Sequence, residues 1–149
     1  MNIHTIWKAG GVNRWHYHDN PQLRNSGDTN WAHSGRVAQL VHLFGGTDEE
    51  VRIALFHDAP EKTTGDVKAG GKDDEAYERE AAIGAEMGVP TDKTPLVHMC
   101  DKLDAYMWAW LHGSGKSRAW QDARHRLMEM AAELRMYDAI YFLLKDVEE

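Results

Sequence analysis

Cysteine is nearly absent. A single residue, Cys100, excludes an intramolecular disulfide and any cysteine-rich zinc framework. Long hydrophobic runs are missing too: none approaches the ~20 residues that span a bilayer, and the N-terminus carries no signal-like apolar stretch. A cytoplasmic protein with no membrane partner is the expectation. Positive charge is also short, with 17 Lys and Arg against 24 Asp and Glu, a net charge of −7. That balance argues against a general electrostatic grip on a nucleic-acid polymer, while leaving room for a local basic pocket. The 149 residues, 42% of them hydrophobic, suffice for one sizeable core but not two, so one domain over 1–149 is expected. Against these shortages stand nine histidines and six tryptophans, spread along the chain. Histidine is the commonest neutral metal ligand and carries protons near neutral pH. Any one of them alone reads as a surface hydrogen-bonding residue; position decides.

The pattern predicts an all-α fold, a bundle of about five to six helices. After a short opening helix, the first thirty residues are read as mostly loop, punctuated by Gly10-Gly11 and Pro21. A helix is expected from Asn30, because Val37, Leu40, Val41 and Phe44 recur at helical spacing, with Gly45-Gly46 ending it. Thr47 then caps a second helix, with Glu50 completing a capping box and Val51, Ala54 and Leu55 turned inward. Pro60 limits its extent. The stretch from Thr63 to Lys72 reads as a Gly-rich loop. Asp73 or Asp74 starts a third helix that closes at Gly88, and Thr94-Pro95 starts a fourth that runs to about Leu111. Trp120, Ala123, Leu127, Met130, Leu134, Tyr137, Tyr141 and Leu144 form one apolar stripe, predicting a single long last helix.

Four residues on these helices have core-facing neighbours: His33, the adjacent pair His57-Asp58, and Asp101. His33 lies one turn before Val37. His57 and Asp58 follow the apolar run Ile53-Ala54-Leu55-Phe56, and Asp101 sits among Leu96, Val97, Cys100, Leu103 and Trp108. An unpaired buried carboxylate is costly, and a divalent cation compensates it. Two imidazoles with two carboxylates suit Mn²⁺, Co²⁺, Fe²⁺, Zn²⁺ or, less well, Mg²⁺. Each piece alone has a plainer reading: a core histidine, a chance dipeptide, an ion pair with Lys102. The signal is their order.

That order, His33, then His57-Asp58, then a distant Asp101, resembles the HD superfamily of metal-dependent phosphohydrolases. Within it the chain is similar to the bacterial 5′-deoxynucleotidases and their compact phage relatives, some of them dATP triphosphohydrolases. The resemblance is carried by Asn13-Arg14-Trp15, by Ala32-His33-Ser34 with Val37-Ala38, and by His57-Asp58-Ala59-Pro60-Glu61 through Thr64-Gly65-Asp66. Lys72 and the run Asp101-Lys102-Leu103-Asp104-Ala105-Tyr106 complete it.

The resemblance implies one divalent metal on His33, His57, Asp58 and Asp101, with Asp104 the rival for the last place. It implies that Glu61 and Asp66 assist the chemistry by orienting water or handling a proton. Arg14 matches a phosphate-binding arginine, a task suited to a guanidinium that takes two oxygens without losing its charge. Trp15 matches an aromatic against the sugar, where a ribose 2′-hydroxyl would collide, and Lys72 a phosphate-reaching lysine. Their plainer readings are a core or lid aromatic and an ordinary loop lysine. Two positions depart from the family: Ala32 stands where a Glu commonly precedes the first ligand, and Lys68-Ala69-Gly70-Gly71 replaces a Pro-rich loop. His16 and His18 are candidates for the pocket mouth; Lys62, Thr63 and Thr64 are weak ones for phosphate. His42, His98, His112 and His125 lack a partner pattern. A small-molecule nucleotide substrate and a homo-oligomer are implied, with hydrolysis of a 2′-deoxynucleotide, mono- or triphosphate, as the activity. The Arg14-Trp15-His16 run and the short chain incline the reading to the phage type. The alternative is a catalytically silent metal- and nucleotide-binding regulatory module.

Overall fold

A computed structural model of the chain describes residues 3–60 and 73–149. The described residues form eight helices and no strand, so the all-α expectation holds. In chain order they are α1 (Ile3–Ala9), α2 (Pro21–Arg24), α3 (Asn30–Leu43), α4 (Asp48–Phe56), α5 (Asp74–Met87), α6 (Pro95–Leu111), α7 (Arg118–Glu133) and α8 (Tyr137–Glu148).

Eight exceeds the expected five to six for two reasons. One is the single-turn α2, capped by the Asn20 side chain on the amides of Gln22 and Leu23. The other is a break in the C-terminal stripe. Arg135 adopts a left-handed conformation at φ 58, and the amide of Met136 donates to the carbonyl of Ala131 at 2.7 Å, a Schellman-type close. The segment Leu134-Arg135-Met136 contains neither glycine nor proline, so no residue announced the break. The apolar spacing survives it because α7 and α8 both pack on α6.

The other boundaries follow their capping residues. Thr29, Thr47, Asp73, Thr94 and Ser117 each accept a backbone amide at the start of a helix, and Thr47 with Glu50 forms the capping box in full. Gly88 closes α5 at φ 71, a conformation open to glycine at little cost.

Helix α6 is the centre of the packing, touching α3, α4, α7 and α8. Its Val97, Met99, Cys100, Leu103 and Tyr106 meet Val37 and Val41 of α3, Ile53 and Ala54 of α4, Leu127 of α7, and Ile140 and Leu144 of α8. Leu55, expected inward, is 44% exposed; Ile53 takes the inner position instead. Tyr137 likewise turns outward at the start of α8. Burial, then the negative charges of Asp101 and Glu50, push the Cys100 thiol up to about 12, which makes it a core residue and not a nucleophile.

The loop before α3 is held by main-chain bonds that matter for the site. Asn13 pairs with Thr29 as an isolated antiparallel bridge, the Arg14 amide donates to the Asp28 carbonyl, and the Asn30 amide to the Val12 carbonyl. Gly10 lies so close to the Trp31 ring that any side chain there would overlap it. The loop carrying Arg14 and Trp15 is thereby fastened to the base of α3.

No helix among the described residues is long and apolar enough to cross a membrane. Because α6 centres the core, Leu103→Ala should cost about 2–5 kcal/mol of stability. Urea unfolding reads this directly, and a loss well under about 1 kcal/mol would contradict that central place.

Candidate metal centre

Three helices bring the four ligand candidates together. His33 comes from the first turn of α3, His57 caps the C-terminus of α4 with Asp58 next to it, and Asp101 projects from the middle of α6. One ligand atom from each can be chosen so that all four lie within 4.8 Å of one another, and the group could hold a metal ion.

Each imidazole is oriented by its other nitrogen. Nδ1 of His33 is hydrogen-bonded to Asp104 Oδ2 at 2.7 Å, and Nδ1 of His57 donates to the Ala54 carbonyl at 2.7 Å. Both Nε2 atoms therefore face the cluster. His33 Nε2 lies 2.9 Å from Asp101 Oδ1 and 3.3 Å from Asp58 Oδ2; His57 Nε2 lies 3.3 and 3.6 Å from Asp58 Oδ2 and Asp101 Oδ1. Yet neither Nε2 makes a properly directed hydrogen bond, although both are buried. Close approach without alignment is the arrangement of ligands aimed at a shared centre. For bonds of about 2.1 Å, neighbouring donors in an octahedron are about 3.0 Å apart and in a tetrahedron about 3.4 Å. The observed spacings straddle those edges, so the donor set fits a divalent cation.

The imidazoles are fully enclosed and the carboxylates nearly so. The side chains of His33 and His57 are 0% and 1% exposed, those of Asp58 and Asp101 13% and 11%.

Charge is strongly coupled. For His33, burial and then the Arg14 charge act to lower the pKa, but the close carboxylates of Asp101, Asp104 and Asp58 outweigh them and raise it to about 10. For His57, burial is outweighed by Asp58 and Asp101, and the value rises to about 9. Burial would raise Asp58 and Asp101, but the two imidazoles hold both well below the usual carboxylate range, with Lys93 adding to the effect on Asp101. Without a cation, protons on the imidazoles balance the carboxylates; a divalent cation would take their place.

The rival Asp104 lies outside this cage. It shares a face of α6 with Asp101, one turn on, but grips His33 Nδ1 and the Nε of Arg36, the latter at 2.7 Å. It orients a ligand and is not one itself. Arg36 in turn reaches both oxygens of the buried Asp28, at 3.0 and 3.1 Å. Asp28 also receives the indole N–H of Trp15 at 3.1 Å and lies 3.6 Å from Arg14 Nε. One network thus runs from His33 through Asp104, Arg36 and Asp28 to Trp15 and Arg14.

Arg14 reaches the site: its Nη1 is 3.2 Å from Asp58 Oδ2. Trp15 stands beside it, packed near Trp120 and His18, with its backbone in the left-handed region at φ 65. That conformation is strained for a bulky residue and is maintained by the surrounding contacts. Glu61, Asp66 and Lys72 lie outside the described residues, as do Lys62, Thr63, Thr64 and Lys68. His16 bonds back to the Asn13 carbonyl, and His18 Nδ1 accepts the Asn20 amide while its ring lies near Trp15 and Trp120. His42, His98 and His125 are exposed, and His112 is bound to the Trp108 carbonyl.

Asp28, Arg36 and Lys93 are site residues that the motif pattern does not contain. Arg36 follows His33, and Asp104 follows Asp101, by one helical turn, so a search one turn beyond each ligand finds that pair. Asp28 and Lys93 sit in loops with no such periodic signal. No known protein family, curated protein or solved structure matches the chain.

Two outcomes follow. Because imidazoles with pKa raised to about 10 and about 9 must lose protons to bind a cation, metal uptake should release protons, and apparent affinity should climb from pH 6.5 towards 9. The metal-free protein should show the reverse trend. Stability from its raised imidazoles is full below about 6.5 and is lost as pH rises through 9 to 10. Calorimetry in buffers of different ionisation enthalpy measures the release, and pH-independent affinity would refute it. Second, Asp104→Asn, which keeps all four ligands, should weaken metal binding about 10- to 100-fold; wild-type affinity would show that Asp104 does not orient His33.

Proposed function

We propose that the protein is a metal-dependent phosphohydrolase of the HD type, acting on 2′-deoxynucleotides. The observation that carries this reading is the convergence of His33, His57, Asp58 and Asp101, with Nε2 of each imidazole buried and lacking an aligned hydrogen bond, and with Arg14 already on Asp58. A cation cage flanked by a guanidinium suits a phosphate ester, whose oxygens need both polarisation and charge neutralisation.

A divalent cation, when bound, supplies Lewis-acid polarisation of a phosphoryl oxygen and lowers the pKa of water. His33, His57, Asp58 and Asp101 would hold it. The chain's other residues do the remaining work. Asp104 and the Ala54 carbonyl keep both imidazoles turned the right way. Arg14, anchored by Asp28 and Asp58, holds the phosphate and offsets charge that builds on its oxygens. Trp15, fixed by its indole bond to Asp28 and its packing near Trp120, offers the sugar a rigid face. Such a wall favours a 2′-deoxy sugar by sterics, as the family resemblance implies. In the same resemblance Glu61 or Asp66 positions the attacking water and takes its proton, and Lys72 reaches the phosphate chain. Release of orthophosphate from a monophosphate and of tripolyphosphate from a triphosphate are the two forms of the reaction, and the compact phage type points to the second.

The test is product release from a panel of deoxy- and ribonucleoside mono- and triphosphates with Mn²⁺, Co²⁺, Mg²⁺ or EDTA. Release that needs metal and prefers deoxy substrates is expected, and Asp58→Asn should abolish it while leaving the helical circular dichroism intact. Nucleotide binding with no turnover under any metal would replace the enzyme by a regulatory module.

A further inference from the structure

The family resemblance points to Lys72, outside the described residues, as the second phosphate-reaching cation; among the described residues a further lysine stands at the candidate metal centre. Lys93 lies in the loop between α5 and α6, directly before the Thr94 cap. Its Nζ is 2.6 Å from Asp101 Oδ2, and its side chain keeps 27% exposure. Asp101 is divided between two tasks: Oδ1 faces His33 and His57, while Oδ2 faces Lys93. Asp58 has a matching companion, since its Oδ2 faces both imidazoles and meets Arg14. Each ligand carboxylate thus carries its own cation, delivered by a different loop.

The two carboxylates balance a divalent ion. Among the described residues Arg14 and Lys93 stand directly against them, in a chain whose net charge is −7. Cationic side chains placed against the two carboxylates favour an anionic ligand beside the cage. An ammonium there is a strong donor to phosphoryl oxygen.

We infer that Lys93 is a phosphate-gripping residue of this site, working with Arg14, so that the two cations beside Asp58 and Asp101 hold one phosphate group between them. The inference rests on the phosphohydrolase reading above and deepens it. A lysine that merely held Asp101 in place would act on the metal; one that grips phosphate acts on the anion. Removing a positive charge beside a ligand carboxylate would, by electrostatics alone, leave cation affinity unchanged or raise it.

The experiment uses Lys93→Met and Lys93→Arg in the full chain, loaded with Mn²⁺. Binding of inorganic phosphate and tripolyphosphate is read by calorimetry, and Mn²⁺ affinity by the paramagnetic resonance of free Mn²⁺. Lys93→Met should weaken phosphate binding by about tenfold or more, the worth of a charge-assisted hydrogen bond. Its Mn²⁺ affinity should stay level or rise, and Lys93→Arg should retain most of the phosphate affinity. Equal phosphate binding by wild type and Lys93→Met would overturn the role of Lys93 alone. So would a fall in Mn²⁺ affinity that accounts for the whole loss. Wild-type protein that takes Mn²⁺ but binds no phosphate and turns over no nucleotide would overturn the phosphohydrolase reading itself, and Lys93 with it.

Discussion

Two carboxylates, Asp58 and Asp101, are turned inward among two buried imidazoles, and the rest of the site is arranged around that concentrated charge. Removing carboxylates from water without compensation costs several kcal/mol each, of the order expected for buried ions. Here the compensation is layered. His33 and His57 stand nearest, Arg14 meets the Asp58 oxygen that faces them, Lys93 covers the outer oxygen of Asp101, and Arg36 bridges the second pair of acids, Asp104 and Asp28. The fold supplies the geometry: α6 runs through the centre and is met by α3 and α4, which carry the imidazoles.

This arrangement links stability to function. The hydrogen bonds that orient His33 and His57 are made at Nδ1, which leaves Nε2 in each ring directed at the cluster and without an aligned partner. A protein built only for stability would gain by pairing those atoms or replacing the group with apolar side chains. Retaining four polar groups aimed at one point has a physical rationale when a cation joins them. The network from Asp104 to Arg36, Asp28, Trp15 and Arg14 then ties the cage to the loop that carries Trp15 and Arg14, so the two share one scaffold.

The fold class and most helix boundaries were legible in the sequence because they rest on local chemistry. Thr47 with Glu50, Thr94 with Pro95, and Gly88 each encode a helix end in adjacent residues. The break at Arg135 was not legible, since a Schellman close at a non-glycine residue leaves no compositional mark. Leu55 was misassigned because apolar identity does not fix which side of a nine-residue helix faces the core. Within the site, the four residues that converge were legible from residue type and order, and Asp101, favoured over Asp104 by the family resemblance, is the one that joins the cluster. Asp28, Arg36 and Lys93 were not named. Their roles depend on partners 8 to 68 positions away in sequence, which only the packed helices bring into reach.

The most direct measurement of the central claim, that side chains from three helices form one divalent-cation site, is a titration of metal-free protein with Co²⁺ followed by its visible absorption. Saturation at one equivalent per chain is expected, with the absorption lost when His33 and Asp101 are both replaced by alanine. No saturable absorption, or the same titration in that double variant, would contradict the account.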